Sequence, residues 1–370
     1  MSDYIPTELL AGILVRLPVE PLIRFTSVCK SWYSLITSPS FVAEHLDHTK
    51  TNTENLLLKT YDFVKKEERY LLCRGDEKFS DEFSELEFPL STQIGHKRIV
   101  ASYSGLLCMI DGGLSGCIIL WNPSIRKSVT LPMPSLPQSS HRRFVLGFGA
   151  HPKTRENMVV FILYEMADVA RWKFPSKVEL YTQGARSWRS IHSVGHPHYL
   201  PCDDWFPAFV NGSVHWIARD MRAFDADGIP SLIMLFNMGS QAFSVLMMPG
   251  ALVSENPLRL SIMSYRESLA VSCHGRTTGG SSCLWVMKEY GVEESWAKLY
   301  NITLPGMLVQ IRGFRENGEV LAWTGDNQLL CYNCETKTFA NSGYTGNSFP
   351  LSSYAFMESL VLVQPGNGFF

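Results

Sequence analysis

The chain has 370 residues, of which 45% are apolar and 12% aromatic, so it is long enough for one large domain and a smaller module. Its formal net charge is −2, which gives no overall attraction to nucleic acid or to an anionic membrane surface, and neither is expected as a partner. No apolar run reaches the roughly eighteen residues that a membrane-spanning helix needs. Nine scattered cysteines and an N-terminus without a secretory layout favour the cytoplasm, the nucleus or both.

The stretch 5–46 predicts about three short helices. Apolar residues recur at helical spacing over 9–17, and two prolines then interrupt the pattern. A second apolar series covers 22–36, and Ser38-Pro39 has the form of a cap and first residue of a last short helix. So small a bundle carries more large apolar side chains than it can bury, which predicts a face for a partner. The alternative is a helical cap packed against its own domain.

This stretch resembles an F-box in its plant form. The resemblance rests above all on Leu17-Pro18 followed, ten residues later, by the run VCKSW at 28–32. It implies docking to the Skp-type adaptor of a cullin–RING ubiquitin ligase. The residues expected to include the adaptor contacts are Pro6, Leu9, Ile13, Leu17, Pro18, Leu22, Val28 and Trp32. Some of them must instead hold the helices together, and the sequence does not separate the two roles.

Residues 47–55 are polar and lack periodicity, which predicts a linker between an F-box module at 1–46 and a β-rich domain at 56–370. In that domain a unit of two hairpins recurs about every 45 to 60 residues, the period of a β-propeller blade. The second hairpins of the units lie at 117–132, 178–191, 233–249, 283–302 and 329–343. Each is preceded by another hairpin, so the repeats predict five complete blades.

Two strand-like regions remain, at 56–88 and 353–363. Because a closed ring removes the exposed edge strands that promote aggregation, we expect these regions to pair and complete a sixth blade. The predicted fold is therefore mainly β, with a three-helix F-box followed by a six-bladed β-propeller that the C-terminal strands close. A two-sheet sandwich is the alternative.

The β-rich domain also resembles a known family, the F-box-associated (kelch-related) domain of plants. The resemblance is carried by GLLC at 105–108, LWNPSIRK at 120–127 and VNGSVHW at 210–216. The segment 285–296 and the run ESLV at 358–361, which matches the closing strand of the family, add to it. It implies a substrate receptor whose propeller selects the protein that the ligase modifies. Substrates within the family are unrelated to one another, so the resemblance names no target.

No motif indicates catalysis. Cys331-x-x-Cys334 lacks the second ligand pair that a structural zinc site needs. A further group of metal-ligating residues lies in a segment rich in glycine and proline, which predicts a loop: His192, His196, His198, Cys202, Asp203 and Asp204. Nucleophile elbows, phosphate loops and dinucleotide fingerprints are also missing. We therefore expect no catalytic residue, cofactor or metal. The alternatives are a propeller enzyme, such as a glycosidase or metal oxidase, and an F-box scaffold that acts outside a ligase.

The long connections predict where a protein substrate binds. In a four-stranded blade the first and third turns share one face, while the second turn and the connection to the next blade share the other. The long segments 133–143, 165–176, 193–206, 219–230, 250–257 and 274–282 all belong to the second kind. Loops on a rigid scaffold are common binding surfaces, and arginine and tryptophan are common interface anchors. The expected substrate contacts are Arg142, Arg171, Trp172, Trp205 and Arg222. The alternative is that long loops are merely tolerated on this face.

Overall fold

The computed structural model describes residues 6–49, 55–62, 67–73, 83–88, 97–111, 117–134, 142–168, 171–191, 199–201, 207–221, 230–275, 281–303, 309–315, 317–326, 328–345 and 352–362. The chain forms two compact units, one of Met1–Leu131 with Asn347–Phe370 and the other of Pro132–Gly346. The first unit contains the helices and two sheets, and the second contains four sheets. No helix in the described part of the chain is long and apolar enough to cross a membrane.

The helical module has four helices in its described residues, where the sequence predicted about three. They are α1 (Thr7–Leu14), α2 (Val19–Phe25), α3 (Lys30–Ile36) and α4 (Pro39–Thr49). The predicted second helix is divided because the Thr26 hydroxyl donates to the Ile23 carbonyl and Cys29 is extended, with φ −162° and ψ 166°. Neither proline nor glycine marks this break. Helix α4 continues to Thr49, beyond the predicted end of the module at 46.

Short antiparallel strands make up the rest of the described chain. In the first unit they are β1 (Asn55–Asp62), β2 (Glu67–Cys73), β3 (Ser84–Leu86), β4 (Lys97–Tyr103), β5 (Leu106–Asp111), β6 (Ile118–Asn122) and β7 (Lys127–Leu131). In the second unit they are β8 (Arg142–Ala150), β9 (Asn157–Asp168), β10 (Arg171–Thr182), β11 (Ser187–Ser190), β12 (Tyr199–Pro201), β13 (Ala208–Val210), β14 (Ser213–Asp220), β15 (Ser231–Asn237), β16 (Ala242–Leu246), β17 (Leu260–Tyr265), β18 (Ser268–Cys273), β19 (Ser282–Met287), β20 (Trp296–Ile302), β21 (Val309–Phe314), β22 (Val320–Thr324), β23 (Gln328–Asn333) and β24 (Thr338–Thr345). The last strand, β25 (Ser352–Phe356), belongs to the first unit.

These strands form six sheets, which are the blades of a six-bladed β-propeller. In strand order they are blade 1 (β25-β1-β2-β3), blade 2 (β4–β7), blade 3 (β8–β11), blade 4 (β12 and β13, then β14-β15-β16), blade 5 (β17–β20) and blade 6 (β21–β24). The five predicted repeats correspond to blades 2 to 6, so the predicted architecture is confirmed. In blade 4 the first strand is in two pieces, because β12 and β13 both pair with β14.

Blade 1 is completed by the C-terminal strand, as the sequence predicted. Strand β25 pairs with β1 from Asn55↔Phe356 to Lys59↔Ser352. It is also bonded to blade 2, since the Tyr354 hydroxyl donates to the Ile99 carbonyl over 2.9 Å. The predicted strand 353–363 is too long, however, because the chain leaves the sheet after Phe356.

One predicted loop, 165–176, is instead part of a long hairpin. Strands β9 and β10 have twelve residues each and pair as far as Arg171↔Asp168. The pairing register shifts on either side of Pro175, where the ladder needs no N–H from that residue. A proline in this sequence context therefore marks an irregular strand and not the loop that we predicted.

In blades 2, 3, 4 and 6 the turns between the third and fourth strands are short and alike. In three blades an asparagine ends the third strand, and its side-chain oxygen accepts the N–H two residues later: Asn122 from Ser124, Asn237 from Gly239 and Asn333 from Glu335. In four blades the turn ends on a non-glycine residue of positive φ, namely Arg126, Arg186, Gln241 or Lys337. Side-chain capping and one left-handed residue reverse the chain within a few residues.

We predict that closure of blade 1 depends on β25. A chain ending at residue 351 lacks β25 and leaves β1 with an open edge. Loss of the buried Phe356 side chain alone should reduce the free energy of unfolding by about 3–5 kcal/mol. We expect this chain to aggregate in size-exclusion chromatography and to melt at a lower temperature. A chain ending at Leu362, which keeps β25, is the control, and equal behaviour of the two chains would show that β25 is dispensable.

Candidate functional site

The helical module exposes large apolar side chains. Among the described residues, five large apolar side chains are exposed, and three of them lie in this module: Leu9 (62% exposed), Ile13 (56%) and Val28 (60%). Leu9 and Ile13 are four residues apart on α1, so they share one face of that helix. Exposed apolar residues grouped in this way are typical of a protein-binding surface.

The other residues predicted to contact an adaptor differ in exposure. Pro6 and Pro18 are exposed, and Leu17 and Trp32 are half-buried. The Leu22 side chain, by contrast, is fully buried within this chain. Burial therefore separates the two roles that the sequence left together: Leu22 packs the module, and the other seven remain accessible to a partner.

The buried side of the module fixes the geometry of its exposed face. The rings of Phe25 and Trp32 meet edge to face, with centroids 5.4 Å apart, which joins α2 to α3. In α4, the Nε2 atom of His45 lies 2.9 Å from the Leu17 carbonyl. Burial lowers the pKa of His45, so the ring is neutral and donates this bond to the chain that follows α1.

A C-terminal anchor, which we define as residues 357–362, follows β25. The Asn122 side-chain amide donates to the Ser359 carbonyl over 2.9 Å and to the Val361 carbonyl over 2.7 Å. Asn122 is fully buried, so these bonds are shielded from water. They account for the early end of β25, because the anchor carbonyls turn toward Asn122 and not toward a neighbouring strand. The predicted closing motif ESLV at 358–361 is therefore part of the anchor and not of the strand.

The anchor fits against a glycine turn of blade 2. Gly105 joins β4 to β5 with φ +75°, a conformation that favours glycine. A Cβ atom at Gly105 would lie 2.3 Å from the Ser359 hydroxyl oxygen and 2.8 Å from the Met357 carbonyl oxygen. The GLLC motif thus begins with the residue that lets the anchor approach the blade.

Helix α2 joins the helical module to the same region. It packs against the 3-10 turn Pro123–Ile125 between β6 and β7. The Val19 N–H at its start donates to the Glu358 carboxylate over 3.4 Å. The module therefore contacts the blade 2 edge that carries the β6–β7 turn. The connection between β5 and β6 leaves this sheet from the opposite edge, because the strands are antiparallel.

The bonds described above do not locate the residues that the sequence predicted to bind the substrate. The backbones of Arg142, Arg171 and Trp172 lie in β8 and β10, but their side chains are outside the described residues. Trp205 and Arg222 are outside them altogether. All five remain predictions.

Of the candidate metal-ligating residues, only Cys331 and Cys334 lie in the part of the chain that the structure describes. His192, His196, His198, Cys202, Asp203 and Asp204 lie outside the described residues. The Cys331 thiol donates to a carboxylate oxygen of Glu319 over 3.1 Å, and Cys334 contacts backbone carbonyls. In the part of the chain that the structure describes, no three histidine, cysteine or acidic side chains are close enough to hold a metal ion.

Residues 63–354 match the family model of the F-box associated beta propeller domain, and residues 3–43 match the F-box domain. The chain therefore belongs to the F-box-associated β-propeller family, with an F-box at its N-terminal end, as the sequence resemblance implied. This arrangement supports, in general terms, a substrate-recognition role in a Skp–cullin–F-box ubiquitin ligase, in which such a subunit is not the enzyme.

Its relatives are plant F-box proteins of similar length. The Arabidopsis thaliana F-box protein At3g07870 is 25% identical, over 93% of this chain and 88% of its own length. The F-box/kelch-repeat protein At3g23880 of the same plant is 26% identical, over 90% of this chain and 89% of its own length. Arabidopsis F-box protein CPR1 is 24% identical, over 97% of this chain and 89% of its own length.

We predict that Asn122 holds the anchor through its amide nitrogen. In an Asn122→Asp chain the side-chain oxygen can still cap the turn, but the donor to Ser359 and Val361 is lost. One buried and one partly buried carbonyl without a partner should reduce the free energy of unfolding by roughly 2–4 kcal/mol. The deficit should grow as the pH rises above about 4, because a protonated aspartic acid can still donate one bond. Urea unfolding at several pH values measures both effects.

Asn237→Asp is the matched control. Asn237 caps the equivalent turn of blade 4, and its amide donates to the Ser213 hydroxyl over 3.0 Å. Since a hydroxyl can donate as well as accept, Ser213 can bond to an aspartate there. A loss of stability as large in Asn237→Asp as in Asn122→Asp would contradict the role of the anchor.

Proposed function

We propose that this protein is the substrate receptor of a Skp–cullin–F-box ubiquitin ligase. Its helical module binds the Skp-type adaptor, and its propeller binds a protein target that is then ubiquitinated and degraded by the proteasome. The protein itself catalyses no step, and it acts in the cytoplasm, the nucleus or both. The observation that carries the proposal is the exposure of three large apolar side chains, Leu9, Ile13 and Val28, in the helical module.

The adaptor contact is an apolar one. Burying an exposed leucine or isoleucine against a partner contributes about 1.5–3 kcal/mol, so a few such residues supply much of the affinity of a protein interface. The neighbouring Pro6 and Pro18 are exposed as well and add rigid apolar surface. Leu22 is buried within its own chain, so we assign it to the packing of the fold and not to the adaptor contact.

The anchor gives the receptor a fixed geometry. A ligase must hold its target at a defined position, so the adaptor-binding module cannot hang on a flexible linker alone. In this chain α2 is bonded to Glu358, and Asn122 is bonded to Ser359 and Val361. These bonds support a model in which the F-box and the first two blades move as one piece.

The target is proposed to bind at the blade edges that carry the second turn and the interblade connections. In blade 2 the helical module occupies the edge with the β6–β7 turn, so the opposite edge is free of it. Of the predicted contact residues, Arg142 begins β8, and Arg171 and Trp172 begin β10. In the sequence, Trp205 lies between β12 and β13, so the predicted loop 193–206 is interrupted by β12, and Arg222 lies between β14 and β15. Their cationic and aromatic side chains are types that often anchor a protein interface.

We predict that the Leu9→Ala/Ile13→Ala double variant loses adaptor binding and keeps its stability. Both side chains are exposed, so their removal leaves no cavity in the fold. The affinity for a recombinant Skp-type adaptor should fall about thirty- to a thousand-fold, as measured by titration calorimetry. The Met247→Ala/Leu258→Ala double variant is the control, because these residues are 45% and 55% exposed outside the module.

If the Leu9→Ala/Ile13→Ala variant binds the adaptor with wild-type affinity, the assignment of Leu9 and Ile13 to the adaptor-binding surface is wrong. Co-purification from plant cells then separates the remaining functions. Recovery of the adaptor together with a cullin supports the ligase receptor, whereas recovery of the adaptor without any cullin supports a scaffold that acts outside a ligase.

We predict that charge reversal on the target-binding edges stabilises the target in cells. Arg142→Glu with Arg222→Glu should slow target degradation several-fold in a cycloheximide chase, because each removes a cationic contact and adds repulsion. Adaptor binding should be unchanged. Arg186→Glu with Arg266→Glu is the control. These exposed arginines lie in the third turn of blade 3 and the first turn of blade 5, which belong to the other kind of blade edge. If the control pair blocks degradation and the test pair does not, the target binds the other edge.

A further inference from the structure

Two cysteines face each other across the middle of blade 5. Cys273 is the last residue of β18, and Cys283 is the second residue of β19. They are direct partners in the antiparallel register. Directly opposed residues point to the same side of a sheet, and both side chains pack against the apolar cluster between blades 4 and 5. The two thiols are therefore neighbours by virtue of the strand pairing.

The spacing of this pair suits a disulfide bond. Opposed residues of an antiparallel ladder have Cα atoms about 4.5–5.5 Å apart, and disulfides join Cα atoms that are about 4.4–6.8 Å apart. The thiols of Cys273 and Cys283 are close enough for each to shift the pKa of the other. A sulfur–sulfur bond thus requires only small side-chain rotations and no change of register.

The two thiols differ in access and in acidity. Cys273 is 4% exposed, whereas Cys283 is half-buried and reachable by a small oxidant. The interaction with Cys273, helped by the positive charge of Lys298, lowers the pKa of Cys283. The same interaction and burial raise the pKa of Cys273. Cys283 is accordingly the thiolate that reacts first, and Cys273 remains a thiol beside it.

We propose that Cys273 and Cys283 form a reversible redox pair that hydrogen peroxide converts to a disulfide. The Cys283 thiolate attacks one peroxide oxygen, the O–O bond breaks, and the departing hydroxide takes a proton, which gives a sulfenic acid and water. The Cys273 sulfur then attacks the Cys283 sulfur, the S–O bond breaks, and a second water leaves with the Cys273 proton. Two thiols are oxidised by two electrons, and one peroxide is reduced to two waters. A dithiol reverses the reaction by exchange.

The disulfide would join β18 to β19 at one end of their ladder. Because Cys273 and Cys283 are already paired there, the bond adds a covalent link without a change of register. The redox pair does not depend on the proposed receptor function.

The cleavage pattern of trypsin makes the test direct. Arg276 lies between the two cysteines, so trypsin places them on separate peptides, 267–276 and 277–288. The full-length wild-type protein is treated with hydrogen peroxide, free thiols are blocked by alkylation, and the digest is analysed by mass spectrometry. We expect the two peptides to appear as one disulfide-linked species, which becomes the dominant form of both. Dithiothreitol before alkylation should return both peptides to their alkylated forms.

Matched cysteines within the same chain serve as controls. Cys283→Ser should abolish the linked species, and Cys331→Ser should leave it unchanged, because the Cys331 thiol is bonded to Glu319. The exposed Cys29 reports in every sample that the peroxide reacted. The proposal is overturned if Cys273 and Cys283 remain fully alkylated in wild-type protein while Cys29 is oxidised. It is equally overturned if Cys283 is converted to sulfinic acid without any link to Cys273.

Discussion

The Asn122 side chain makes the bonds on which the arrangement of the first unit depends. Its oxygen closes the turn after β6, and its nitrogen holds the carbonyls of Ser359 and Val361. One amide thus joins a local turn to a segment more than two hundred residues later. A buried amide that satisfies three backbone groups is costly to replace, because each group would be left without a partner. The same turn receives helix α2, so the position of the helical module follows from these bonds.

The blades could be predicted from the sequence because their signals are local. Each hairpin combines an apolar strand, a polar turn and a second strand, and antiparallel neighbours in sequence are neighbours in the sheet. The closing strand β25 could also be predicted, since an apolar C-terminal segment and an unpaired early strand have one economical solution. The anchor could not. Its hydrogen bonds join a side chain to a distant backbone, and no periodicity marks such a contact.

The errors have the same physical origin. The second predicted helix breaks at Cys29 without proline or glycine, because a hydroxyl–carbonyl bond at Thr26 and the packing of the helices decide the boundary. The predicted loop at 165–176 is a hairpin, because a shift of register accommodates Pro175. Hydrophobicity also leaves open which apolar residues of the helical module are exposed: Leu9 is exposed, and Leu22 is buried. Each outcome depends on contacts with residues that are distant in sequence.

The two kinds of blade edge have different physical properties, and this difference bears on function. Edges with first and third turns are compact, because capping asparagines and single left-handed residues close them. In blade 2 this compact edge supports the helical module, whose position must be fixed. Apart from the short β1–β2, β9–β10 and β22–β23 turns, the second turns and interblade connections are longer, so they can vary without disturbing a strand. Cys273 and Cys283 stand at the ends of β18 and β19 beside one such connection, and the ladder holds them opposite each other. A bond between them would therefore add a covalent link to a pair that the strands already keep in register.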